Sequence, residues 1–330
     1  MKNSLLDTIY DVAIIGAGPT GLSAATRLRQ SGLKQVIVLE RESEAGGIPR
    51  HCGHPPFGIR EYFRVLNGPA YAKRLVKNAL QSGVEISLKT SVTALNPRGY
   101  LDIASPEGTG QLHAKRVLLA TGTRETPRSA RLISGNRPLG ICNTGTLQSM
   151  VYLKKLTPFR TPVVVGTEIV SFSALLTCKK AGIKPVEIIE ENQKPSVAWP
   201  LHYAARFFGI PLHLNTRVVN IIGKDRVEAV QVIDQKENSR TIECDGVLFT
   251  GQFTPESSLA RMSHLQLEQQ TGIPVTNQLY RCSDPVYYAA GNLVHNPVKV
   301  AGKCWQKGRI AADSIIQDLA DELERSQEVE

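Results

Sequence analysis

The chain has 330 residues, of which 42% are hydrophobic, 21% charged and 6% aromatic, enough for about two domains that bury cores without disulfide staples. That composition excludes a fibre, a coiled coil and a disordered stalk. The 39 Lys and Arg against 30 Asp and Glu give a net charge of +9, which suits an anionic partner but does not by itself point to nucleic acid.

Met1 to Asp11 carries Lys2 but no apolar core, and Val12–Ile15 is too short for a signal peptide. No run of about 18 apolar residues follows, so no transmembrane helix is expected. The expectation is a cytosolic chain, at most membrane-associated through partners. Tyr10–Ile15 reads as a buried strand, Gly16-Ala17-Gly18-Pro19-Thr20-Gly21 as a turn, and Leu22, Ala25 and Leu28 as one face of a helix. A second strand, Gln35–Leu39, ends in Glu40, 24 positions after Gly16. Strand, glycine turn, helix, strand and acid together form a dinucleotide-binding fingerprint. Gly16 permits the tight turn, Gly18 lets backbone approach a pyrophosphate, and Gly21 allows close helix–strand packing. The helix N-terminus attracts phosphate, and Glu40 can accept from ribose hydroxyls.

The pattern repeats 150 residues later. Thr161–Val165 leads into Gly166, Ile169–Lys180 is helical, and Pro185–Ile189 is a strand ending in Glu190. Arg116–Gly122 and Asp245–Gly251 each read as a strand closing on a small-residue turn. The reading is α/β: two nested, three-layer, Rossmann-like domains, with residues 125–251 inserted between 1–124 and 252–330. The second turn is degenerate, with Glu168 and Ser171 in place of its second and third glycines. A carboxylate about 4 Å from a pyrophosphate charge costs up to about 4 kcal/mol, near three decades of affinity, unless it swings away. Ordinary NAD(P)H binding is disfavoured there, and Glu190 and Glu191 disfavour NADPH more than NADH. The domain is retained as architecture or takes NAD or an adenine nucleotide in another way.

The six cysteines stand at least 22 positions apart, which argues against a zinc ribbon, a local dithiol and an iron–sulfur ligand set, and for reduced, buried thiols. No metal site is expected. His51 and His54 form an H-x-x-H pair with no third ligand nearby, which reads as a rim pair rather than a metal site. Lys299, Lys303 and Trp305 are candidates for cofactor contact or substrate carboxylate binding, or are ordinary residues at a helix start. His51, Cys142 and Lys303 are the catalytic candidates, and no acid or base is assigned.

With Gly46-Gly47, Ala120-Thr121-Gly122 and Tyr288-Ala289-Ala290-Gly291-Asn292 added, nearly the whole chain resembles the flavoproteins that include thioredoxin reductase and the pyridine nucleotide-disulfide oxidoreductases. The resemblance implies FAD, bound by Gly16, Gly18, Pro19, Gly21, Glu40, Arg41, Gly47, Val92, Thr121, Gly122, Gly291, Asn292, Val300 and Ala301. Asn292 stands where that family carries Asp, and its amide oxygen can still accept from a ribityl hydroxyl. Where thioredoxin reductase has CxxC, this chain has Cys142-Asn143-Thr144-Gly145, so a thioredoxin-type relay is not expected.

Three further stretches, Gly46–His51, Thr121–Arg131 and Thr144-Gly145-Thr146-Leu147-Gln148, together with Gly291-Asn292 and Cys304-Trp305-Gln306-Lys307-Gly308, are similar to FAD subunits of dye-linked dehydrogenases for proline, hydroxyproline and opines, and of hydrogen cyanide synthase. That resemblance implies an electron-transferring subunit beside a flavin-dependent amine dehydrogenase subunit. Such subunits often carry a cysteine-rich iron–sulfur region after the last helix; none is expected here, which leaves a separate small iron–sulfur protein as a candidate partner. The alternatives are a self-sufficient NAD(P)H-dependent reductase and a FAD-binding or nucleotide-sensing structural subunit. Nine bases against Glu125 between Lys115 and Arg160 suggest a rim, including Arg128 and Arg131, for an anionic substrate or acidic partner.

Overall fold

The computed structural model describes residues 6, 8–197, 204–295 and 299–327. Lys2 of the N-terminal reading lies outside them. The chain divides into two compact units, one comprising Met1–Arg50, Pro55–Thr123 and Pro255–Glu330, the other His51–His54 and Arg124–Thr254.

The strands of the first unit are β1 (Ile9–Ile15), β2 (Val36–Leu39), β3 (Glu85–Ser87), β4 (Ser91–Asn96), β5 (Tyr100–Ser105), β6 (Gly108–Leu119) and β18 (Tyr287–Ala289). They form a sheet in the order β3-β2-β1-β6-β5-β4, with β18 also pairing β6. In β1, Val12 and Ile14 enter one core while Tyr10, Ala13 and Ile15 enter the other. Burial on both faces is why this parallel strand reads as a continuous apolar run rather than an alternating one. β6 pairs parallel with β1 and β18 near its end and antiparallel with β5 near its start. Helices α1 (Pro19–Gln30), α2 (Gly68–Gln81) and α5 (Ala301–Gln327) belong to this unit. Leu22, Ala25 and Leu28 of α1 and Ala311, Ala312 and Ile315 of α5 share one core.

The second unit has two sheets. One contains β9 (Ile141–Asn143), β10 (Pro162–Val165), β11 (Ile188–Ile189), β12 (Leu212–His213) and β16 (Gly246–Phe249), all parallel, in the order β12-β11-β10-β16-β9. The other contains β8 (Ser134–Gly135), β13 (Thr216–Ile222), β14 (Ala229–Asp234) and β15 (Ser239–Glu243), in the order β15-β14-β13-β8. Helices α3 (Thr144–Gln148) and α4 (Ile169–Ala181) belong to this unit, and a π-helical turn, Ser149–Leu153, extends α3. Where the chain enters and leaves, β7 (Thr123–Glu125) and β17 (Phe253–Pro255) pair as a two-stranded ribbon. Among the described residues no helix is long and apolar enough to cross a membrane.

Candidate flavin site and its degenerate repeat

The first glycine turn is shaped by close backbone approach. Gly16 has φ +106, and a β-carbon there would lie 2.7 Å from the Ala120 carbonyl oxygen; one on Gly21 would lie 2.0 Å from the Gly16 carbonyl oxygen. Those contacts fix β1, α1 and the end of β6 around one point. Gly18 differs, because a β-carbon there meets nothing within 4 Å. It is the N-cap of α1, Pro19 is the first helical residue, and neither a side-chain cap nor a first-turn acid is present. The result is an open cradle at a helix N-terminus, the geometry a pyrophosphate needs.

Glu40 is buried. Its carboxylate accepts the backbone N–H of Ala17 at 2.8 Å and of Glu42 at 3.0 Å. A carboxylate offers about four acceptor positions, so two remain for ribose hydroxyls. Gly46 donates its N–H to the Ala17 carbonyl at 2.8 Å, and a β-carbon on Gly47 would lie 2.8 Å from Gly18 Cα. The Gly-Gly turn therefore rests on the glycine turn. Thr121 Oγ1 donates to the Glu256 carbonyl at 2.7 Å, and Glu256 N–H donates to the Gly122 carbonyl at 2.9 Å.

Gly291 lies against Thr20, whose Oγ1 would be 2.2 Å from a β-carbon there and which donates to the Cys304 carbonyl at 3.1 Å. Thr20 thus ties α1 to the Gly291-Asn292 turn and to the start of α5, where Val300 accepts from Cys304 N–H at 3.2 Å and Ala301 is the first helical residue. The sequence reading missed this hydroxyl; its position inside the glycine turn was the available signal. Val92 stands on β4, two residues beyond Thr90, whose N–H donates to the Glu40 carbonyl at 2.9 Å. Arg41 is exposed. Glu40, Gly47, the strand end at Ala120–Thr121 and Gly291 thus meet around one open turn, an arrangement that fits FAD.

The catalytic candidates divide between the units, His51 and Cys142 in the second and Lys303 in the first. His51 ends the 3-10 turn Ile48–His51 and, with Cys52, falls in the second unit. Cys52 Sγ donates to Gln148 Oε1 at 3.3 Å. Cys142 lies in β9, where burial first, then the neighbouring Cys178 and Glu125, push its thiol up to about 12, so it stays a thiol at neutral pH. Lys303 is half-buried on α5. Nearby Lys307 donates to the His295 carbonyl at 2.9 Å, and burial and the adjacent lysines lower its pKa. None of the six cysteines is in a disulfide.

The second turn keeps the backbone of the first and fills its space. Gly166 again has φ +106. Ser171 donates to the Gly166 carbonyl at 3.0 Å and meets Thr250 Oγ1 at 2.6 Å. Glu168 turns back so that its carboxylate accepts the Gln252 N–H at 2.6 Å. Glu190 accepts from Thr167 Oγ1, from Asn192 N–H and Nδ2 at 3.0 and 2.7 Å, and from Ser196 Oγ at 3.3 Å. Its four acceptor positions are taken by the protein itself.

Arg128 and Arg131, expected on the basic rim, are both bonded to backbone carbonyls. Arg128 donates to the carbonyls of Ile133, Ser134, Gly135 and Asn136, and Arg131 to those of Thr126, Thr250 and Gly251. Their guanidinium groups brace loops, because carbonyls at turns and strand ends lack ladder partners. Buried Glu125, overlooked in the sequence, accepts Gly145 N–H at 2.8 Å and Gly251 N–H at 3.2 Å.

The pyridine nucleotide-disulphide oxidoreductase family model matches residues 10–308, and the chain belongs to that family. It is a FAD-dependent oxidoreductase. Over 339 residues it is 25% identical to the soluble pyridine nucleotide transhydrogenase of Hahella chejuensis, covering 94% of this chain and 71% of that one. It is also 25% identical over 346 residues to an opine oxidase subunit of Agrobacterium tumefaciens, covering 95% and 67%. Among solved structures, T. acidophilum thioredoxin reductase superposes with a TM-score of 0.78 at 25% identity, covering 94% of this chain and 99% of that one.

Proposed function

We propose that this chain is an electron-transferring FAD subunit of an amine or amino-acid dehydrogenase complex of the proline, hydroxyproline or opine type. The observation that carries the reading is the contrast between Glu40, with acceptor positions to spare, and Glu190, saturated by its own chain. A second domain filled in this way is a poor entry for NAD(P)H, so the reducing equivalents come from elsewhere. Similarity to an opine oxidase subunit supports their origin in a partner protein.

When bound, FAD accepts a hydride at N5 and releases electrons singly or in pairs. Gly16, Gly18, Gly21 and the start of α1 would hold its pyrophosphate, with Pro19 leading the helix. Glu40 would orient the ribose beside Arg41 and Val92. Gly47, Thr121, Gly122, Gly291, Asn292, Val300 and Ala301 would line the remainder. The partners are a small iron–sulfur protein and a flavin-dependent amine dehydrogenase subunit, and any membrane association through them belongs to this reading.

The retained φ of Gly166 favours a second reading, in which the inner domain still takes NADH or an adenine nucleotide. Anaerobic mixing of the FAD-loaded chain with NADH, NADPH, proline, hydroxyproline and sarcosine, alone and with its native partners, separates the two. Bleaching by an amine only in the partner's presence is expected. Rapid bleaching of the lone chain by NADH would overturn the proposal in favour of the second reading.

A further inference from the structure

Phe57–Leu66 is a closed loop of the first unit. Phe57 N–H donates to the Leu66 carbonyl at 2.9 Å and Leu66 N–H to the Phe57 carbonyl at 2.8 Å. Inside the loop, the turn Ile59–Tyr62 starts at Gly58, in left-handed backbone. Its base is firmly held: the rings of Phe57 and Tyr62 lie 5.7 and 6.0 Å from that of Tyr71, and Tyr71 Oη donates to Glu61 at 2.6 Å.

The tip is the opposite of a core. Phe63 is 92% exposed, Val65 67% and Ile59 51%. Phe63 also has φ +51, a backbone region that bulky L-residues rarely adopt. Singly exposed apolar side chains are ordinary. Three on one anchored loop, the largest held in an unfavourable backbone state, make a presented patch.

The charge around it has one sign. Between Ile48 and Gln81 stand Arg50, Arg60, Arg64, Lys73, Arg74 and Lys77 against one acid, Glu61, which is engaged by Tyr71. All of these bases except Arg50 are exposed. An aromatic and aliphatic tip flanked by cations combines the two signals that hold a protein at a membrane surface, apolar insertion and attraction to anionic headgroups.

We propose that this loop is an interfacial anchor for an anionic bilayer. Ile59, Phe63 and Val65 enter the headgroup layer, and Arg60 and Arg64 meet lipid phosphates. The anchor is a property of this chain and does not depend on which donor reduces the flavin.

The FAD-loaded chain is mixed with POPC vesicles and with vesicles containing about 30% POPG, since anionic headgroups are the attracting element. Binding is expected only to the latter. Phe63→Ser should weaken it about 10-fold without altering net charge, Tm or flavin content, as befits an exposed side chain. In Phe63→Trp, brominated lipid should quench fluorescence beyond any quenching of the parent protein. Equal binding by Phe63→Ser would mean that charge alone holds the chain to the vesicle, and would overturn the anchor. An unquenched Phe63→Trp or absence of binding to POPG vesicles would also overturn it, leaving the patch to an acidic protein partner.

Discussion

Glu168 and Gln252 are joined by a 2.6 Å hydrogen bond in which the Gln252 backbone N–H donates to the Glu168 carboxylate. The side chain that stands for the second glycine of the repeated turn is thus enlisted in holding the strand that leaves the second unit. Glu168→Gly removes this carboxylate from the mouth of the turn. Binding of ADP-ribose should strengthen by one to three decades, at about 1.4 kcal/mol each, as followed by calorimetric titration. An unchanged affinity would show that Glu168 does not restrict the site, leaving the saturated Glu190 as the barrier.

Gly18 and Gly308 separate cofactor binding from folding. A β-carbon on Gly18 meets no protein atom within 4 Å, whereas one on Gly308 would lie 2.2 Å from the Thr20 carbonyl oxygen. Gly18→Ala should leave the Tm of the flavin-free protein unchanged and sharply lower flavin retention. Gly308→Ala should cost about 1–3 kcal/mol through overpacking and lower Tm by about 2–4 °C per kcal/mol. Equal thermal losses in the two variants would refute the distinction.

Burial raises the pKa of Glu125, against the opposing effects of Gly145 N–H, Thr144, Gly251 N–H and Arg131. A carboxyl whose pKa is raised on folding holds more protons in the native state than in the unfolded one, so its contribution to stability falls as pH rises. The fall begins near the ordinary glutamate value of 4.5 and is complete above the raised native value. Glu125→Gln should remove this component, so the stability of the parent protein relative to the variant should decline across that interval. Parallel pH profiles in urea melts would contradict it.

Arg128 closes the loop from Ile133 to Asn136 by donating to four carbonyls. Arg128→Ala should loosen this loop by about 1 kcal/mol, discounted for solvent screening. Trypsin cleavage at Arg131 and Arg137 should accelerate several-fold. Flavin reduction by the proposed partner should keep its salt dependence; a changed salt slope would place Arg128 on a receiving rim.

The first glycine turn was legible because its geometry is local and ordered: Gly16 and Gly21 satisfy backbone demands, and the distance to Glu40 is set by one helix and one strand. The 150-residue repeat was legible for the same reason. The saturation of Glu190 was not, because Thr167 lies 23 residues before it and donates only once the turn has formed. Arg128 and Arg131 read as a surface charge run, since a sequence shows a guanidinium but not the carbonyls it reaches. Phe63 sits among aromatic and aliphatic neighbours and would pass for core; its left-handed backbone and exposure emerge only from the closed loop around it. The assignment of His51–His54 to the second unit was equally hidden, because contacts such as Cys52–Gln148 span 96 residues.

The interruption of the first unit by the second orders events during synthesis. Gly16 and Glu40 leave the ribosome early, yet β18, which pairs β6, and α5, which lies against Thr20, are made only after Thr254. Most of the inner unit's partners are separated by shorter stretches of chain, and such contacts form before distant ones because closing a long loop costs entropy first. The inserted domain is therefore ready to fold while the first unit still lacks its final strand and helix, and this unfinished sheet is the stage at which the chain most needs protection from aggregation.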